Sequence, residues 1–147
     1  MLRQFLVGGF VSLCNIAVHA MITSVLIQVM RRARKPQRWP QLFLIAVMIA
    51  AVGVLMIAHM SEVLIWALAY QLVGAAPDGA KLIYFAFVNY TTLGYGDVVP
   101  VPKWQLLGPM TAMNGVLLFG WSTAVLFEVL RKAIARSFGD SPFSSRF

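Results

Sequence analysis

The chain has 147 residues, of which 60% are hydrophobic and only 12% charged, with a formal net charge of +7 and a mean hydropathy of +0.78. A soluble domain of this size needs far more charge to cover its surface, so the composition excludes an ordinary water-borne protein and points to a bilayer. The positive charge does not indicate a nucleic-acid partner either: it gathers in two clusters, each starting where a long apolar run stops, and no polar recognition element accompanies it.

In chain order, the first apolar run extends from Phe5 to Met30. Crossing the hydrocarbon takes roughly 20 helical residues, whereas the core of a cleaved signal has only about 7–15, so a retained spanning helix is expected. Cys14 lies inside it as the one cysteine, and no internal disulfide can form. Ser12, Asn15, His19 and Thr23 form a polar stripe on this span. A short basic connection follows, with Arg31, Arg32, Arg34, Lys35 and Arg38 around Pro36 and Pro40. Its charge places it in the cytoplasm.

The second run covers Gln41 to Val73 and the third Trp104 to Leu130, the latter followed by Arg131, Lys132 and Arg136. The two basic clusters lie two spans apart and agree on one orientation: N-terminus outside, C-terminus cytoplasmic, in a multi-pass cell (inner) membrane protein. Trp39, Trp66, Tyr70 and Trp104 near the span ends are expected to anchor at the interface. Glu128 is spaced to pair with Arg131 and Lys132.

Between the second and third spans, Gly74 to Gly79 reads as a turn, and Lys81 to Thr91 is again apolar. As a helix that stretch would be about 16 Å long, half of a bilayer. It cannot cross. A half-length helix between two spans reads as re-entrant, and irregular backbone after it is tolerable only if buried in protein or lining a watery cavity. Thr91-Thr92-Leu93-Gly94-Tyr95-Gly96-Asp97 follows directly.

This segment, with its upstream half-helix and flanking spans, resembles the potassium channel pore-domain family, in particular small bacterial channels with a single pore domain. The resemblance covers residues 41–131 and implies an all-α membrane protein with three transmembrane helices plus a re-entrant pore helix and a selectivity-filter loop. It implies a filter at Thr92, Leu93, Gly94, Tyr95 and Gly96. Carbonyls of Thr92 to Tyr95 and the Thr92 hydroxyl would replace water around K+, the transported ion. Gly94 and Gly96 supply the positive φ such a backbone needs, and Asp97 concentrates cations at the pore mouth. Tyr84 and Phe85 would pack behind Tyr95, and Val88 stands where some family members carry glutamate. A homotetramer follows, since each chain brings one filter strand.

By the same resemblance, residues 1–40 are an added helix and linker and 132–147 a short cytoplasmic tail. Gly108, Gly115 and Gly120 on the inner helix are expected mainly to pack, with Gly115 the candidate gating hinge. His59 and Glu62 share a helix face and form a candidate modulatory pair, expected to make filter stability pH-sensitive or else to face the first span. No reacting constellation, nucleotide loop or metal-ligand cluster is legible, so no enzyme activity, cofactor, small-molecule substrate or nucleic-acid partner is expected. Rival functions are a non-conducting accessory subunit and a component of a potassium transport system.

Overall fold

A computed structural model describes residues 1–32 and 39–138. The expectations for Arg34, Lys35, Arg38 and the tail beyond 138 therefore lie outside the described residues. Among those described, the elements are α1 (Leu2–Arg32), α2 (Pro40–Val73), α3 (Leu82–Tyr90), a 3-10 turn (Pro102–Trp104) and α4 (Leu107–Phe138). Three helical stretches are long and apolar enough to cross a membrane: Leu2–Arg32, Pro40–Val73 and Pro102–Ser137.

Local chemistry sets the boundaries. Pro40 opens α2 at a position where its missing N–H is not needed. Gly74 ends it in the left-handed conformation, φ 61° and ψ 48°, with its N–H on the Gln71 carbonyl. The Ala75 N–H then reaches back to the Tyr70 carbonyl at 2.9 Å, completing a Schellman cap. A separate 3-10 turn at Pro102–Trp104 precedes α4, which starts at Leu107, past the expected Trp104, and runs beyond the apolar stretch to carry Arg131, Lys132 and Arg136. Glu128 pairs there with Arg131 at 2.9 Å and Lys132 at 2.7 Å, as their spacing predicts.

The helices α1, α2 and α4 pack mutually, while α3 wedges between α2 and α4. One apolar cluster joins Trp66, Tyr70, Phe85, Tyr90, Trp104 and Leu107; a second, toward the other end, joins Leu26, Met30, Ala51, Leu55, Val125 and Val129. Trp66 and Tyr70 are fully buried, and Trp104 nearly so. This corrects the interfacial role expected for them. Trp66 and Tyr70 face inward because their polar ends have partners: Trp66 Nε1 donates to Asn114 Oδ1 at 3.0 Å, and the Tyr70 hydroxyl meets Thr111 Oγ1 at 2.5 Å. Only Trp39 of the four is largely exposed.

At its two ends and its middle, α1 is hydrogen-bonded to α4 or to the residue just before it. At one end Gln4 Oε1 accepts from the Leu106 N–H at 2.8 Å; midway Asn15 Nδ2 donates to Asn114 Oδ1 at 3.0 Å. At the other end the Arg136 guanidinium caps α1, donating to the Met30 carbonyl and, at 3.0 Å, to that of Arg31. Asn114 is thus the shared acceptor for a donor on α1 and one on α2. Replacing it with alanine should cost about 1–3 kcal/mol, since two buried donors lose their partner while apolar surroundings leave them few alternatives. Denaturation of the purified Asn114→Ala protein measures this; a loss below about 0.5 kcal/mol would mean that the bonds contribute nothing.

Candidate functional site

The site is built where α3 stops. Its last carbonyls, which a helix end leaves without intrahelical partners, are taken up by the residues that follow. The Thr91 N–H and its Oγ1 both donate to the Phe87 carbonyl, at 2.9 and 2.8 Å, and the Thr92 N–H donates to that of Asn89 at 3.0 Å. The Val88 carbonyl accepts twice, from the N–H groups of Leu93 at 3.0 Å and Gly94 at 3.4 Å. The main-chain N–H groups of the segment are thereby turned back toward α3.

Beyond this hinge of hydrogen bonds the backbone alternates in hand. Thr92, Gly94 and Gly96 have φ of 60°, 58° and 78°, while Leu93 and Tyr95 between them do not share the positive sign. For glycine such angles are cheap. For a β-branched threonine they are a genuine outlier, costing of order 1–3 kcal/mol and tolerated where surrounding structure enforces them. Thr92 is the chain's one described non-glycine residue with positive φ. The motif's residue types assign positive φ to Gly94 and Gly96, and the structure adds Thr92.

The segment is exposed in the single chain, Leu93 at 52% and Tyr95 at 69%. At its far end the Tyr84 hydroxyl donates to Asp97 Oδ2 at 2.7 Å, tying the start of α3 to the end of the segment. Donation to that carboxylate holds the Tyr84 phenol above its ordinary pKa. Tyr84 and Phe85 part company here. Phe85, expected behind Tyr95, is fully buried and stacks on Tyr70 of α2 with ring centroids 4.8 Å apart. Successive helical residues point about 100° apart, and the inward position belongs to Phe85.

Two further features surround the segment. The Tyr90 carbonyl rests directly on Gly115 of α4, so closely that a Cβ there would lie 2.0 Å from the oxygen. Gly115 is therefore a contact between α3 and α4. On the opposite side of Tyr90, its hydroxyl donates to Glu62 Oε2. Glu62 also receives His19 Nδ1 at 2.7 Å on Oε1 and His59 Nδ1 at 3.0 Å on Oε2. The expected pair is thus a cluster that includes α1 and α3 together. Its fifth member is Ser122, whose Oγ lies 2.9 Å from His59 Nε2; the signal for it is the helical spacing of Thr111, Asn114, Leu118, Ser122 and Val125 on one buried face of α4.

A family profile described as ion channel matches residues 43–132, more than half of the 147 residues. The chain belongs to this ion channel family. No curated protein and no solved structure matches it. As a channel subunit it mediates ion movement and is not an enzyme, in keeping with its three apolar helices. The matched residues begin within α2 and end in α4, so that the channel domain contains α3 and the alternating segment, and α1 lies before it.

Proposed function

We propose that this channel is selective for potassium and conducts it passively through a pore formed by four identical chains. One observation carries the proposal: the left-handed φ angles fall on alternate residues, Thr92, Gly94 and Gly96, of the Thr-Thr-Leu-Gly-Tyr-Gly-Asp segment. Alternation of hand turns successive carbonyls to one side of the strand and successive N–H groups to the other. The Val88 carbonyl already occupies N–H groups of Leu93 and Gly94, which supports a free carbonyl row on the opposite side. Four such rows replace the water of a dehydrated K+.

In this assembly α3 is the re-entrant pore helix, α2 the outer helix and α4 the inner one. Thr92, Leu93, Gly94 and Tyr95 contribute carbonyls, Thr92 adds its hydroxyl, and Asp97 draws cations to the outer mouth. Tyr95, exposed in one chain, is covered by a neighbouring chain in the tetramer. The membrane is the cell (inner) membrane, with the N-terminus outside and Arg131, Lys132 and Arg136 on the cytoplasmic face.

Purified protein in liposomes under opposed potassium and sodium gradients provides the test. A reversal potential close to that of potassium is expected. Equal permeability to sodium rejects the selectivity, and no flux at all would instead indicate an accessory subunit. Tyr84→Phe should preserve selectivity but hasten current decay during sustained recording several-fold, because the tie to Asp97 is lost. Raising pH through the elevated Tyr84 pKa should mimic this in the parent and leave the variant unaffected, since the bond exists only while the phenol holds its proton. Identical decay in parent and variant would show that the tie does not steady the segment.

A further inference from the structure

Both histidines of the chain, one on α1 and one on α2, meet the same carboxylate inside the helix bundle. His19 and Glu62 have fully buried side chains, and that of His59 keeps 10% exposure, enough to leave an edge for entry. Donor atoms from His19, His59 and Glu62 all lie within 4.8 Å of one another. The Tyr90 hydroxyl joins them, 3.0 Å from His59 Nδ1 and bonded to Glu62. We propose that these four residues form a binding site for a divalent transition-metal ion of zinc-like preference, pinning α1 and α2 to α3 immediately before Thr91 and Thr92.

The donor chemistry selects the ion. Two imidazoles with carboxylate and phenol oxygens suit zinc and its first-row neighbours, whereas magnesium, calcium and potassium take all-oxygen shells. Zinc with bonds of about 2.0–2.2 Å needs its ligand atoms some 3–3.5 Å apart. The donors here stand at 2.7 and 3.0 Å where they touch, so a small outward opening admits the ion. The Glu62 carboxylate supplies negative charge to the ion in an apolar surrounding.

The outer hydrogen bonds of the two rings accommodate the ion. Each Nδ1 faces the carboxylate, and each Nε2 faces the single hydroxyl of Ser122, at 2.9 Å from His59 and 3.3 Å from His19. If both rings donate from Nδ1, both Nε2 atoms are acceptors, and Ser122 has one proton to offer two of them. One buried nitrogen is then left unanswered, unless the other ring is doubly protonated and donates to Ser122 as well as to Glu62. With a metal on both Nδ1 atoms, each ring carries its proton on Nε2, and the two lone pairs of Ser122 accept both. An outer partner that orients a histidine through its other nitrogen is the usual company of a metal ligand. Here one serine from α4 serves two.

Binding is read without current, so its failure is distinct from failure of potassium selectivity. Full-length protein without a histidine tag would be purified in detergent, titrated with Zn2+, and its retained metal measured, with Co2+ absorption reporting geometry. One ion per chain and a tetrahedral cobalt spectrum are expected. His19→Gln and His59→Gln should each reduce retention to background while the protein elutes at its parental size, and Ser122→Ala should weaken binding by about 10–100-fold. Should the glutamine variants fail to fold, X-ray absorption at the zinc edge of the parent decides: a shell containing two imidazoles supports the site, and one without them overturns it. Absence of metal from the parent, or retention unchanged in both folded histidine variants, would also overturn it.

Discussion

Gly115→Ala is expected to destabilise the channel by about 1–3 kcal/mol per chain, the usual range for overpacking, and to abolish most of its current. The added methyl would lie 2.0 Å from the Tyr90 carbonyl oxygen and 3.0 Å from its carbon. These are backbone atoms at the end of α3, with no side chain able to swing away. Restoring an ordinary contact near 3.4 Å requires a separation of about 1.4 Å, the difference of the two distances. Either α4 withdraws or the end of α3 moves, and Thr92 follows two residues later. A hinge at this position would behave otherwise: alanine would alter gating and leave stability unchanged. Gly120→Ala is the control, because nothing stands within 4 Å of its added carbon in the chain. It should gain up to about 1 kcal/mol of helix propensity. Thermal unfolding of the two purified variants separates the cases, and equal stabilities would refute the contact.

Gly94→Ala carries the second large expected effect, loss of the proposed potassium selectivity or of all current. At φ 58° an L-residue with a Cβ costs roughly 1–2 kcal/mol. In a tetramer the cost enters four times, about 4–8 kcal/mol in total, and Thr92 already holds φ 60° two residues earlier. Relaxing to negative φ is the available escape, and that turns a carbonyl out of its row. Gly79 provides a comparison within the same chain. It has φ 77° with no atom within 4 Å of an added carbon, in the loop before α3. Gly79→Ala should pay a similar local cost and leave selectivity intact. Reversal potentials in mixed potassium and sodium measure the difference. If Gly94→Ala remained as selective as the parent, the carbonyl row would have to be abandoned.

Much of the architecture was legible because its signals are collective. An apolar run of bilayer length fixes a helix whatever its individual residues, and α2 ends at the expected Val73 because Gly74 can take a left-handed cap. The half-length run from Lys81 likewise became α3 within a residue at each end. What hydropathy cannot express is the direction of a side chain. Tyr84 and Phe85 are neighbours of similar size, yet one faces Asp97 and the other the core. Trp66 and Tyr70 resemble interfacial anchors until their partners on α4 are known. The polar stripe Ser12, Asn15, His19 and Thr23 was visible on α1, but the partners of Asn15 and His19 lie on other helices at large sequence separation, while Thr23 bonds back to the His19 and Ala20 carbonyls of α1 itself.

That separation has a consequence for how the chain is made. Asn15 meets Asn114 across 99 residues, His19 meets Ser122 across 103, and Gln4 meets Leu106 across 102. At roughly 5–20 residues per second, a ribosome needs about 5–20 s to produce that intervening length. During this interval α1 must wait in the translocation machinery or the lipid with its Gln4 amide unmatched and with Asn15 and His19 holding only their α2 partner, Glu62. Nascent chains arrested before α4 emerges should therefore be handed to quality-control proteases, whereas those released after it should survive.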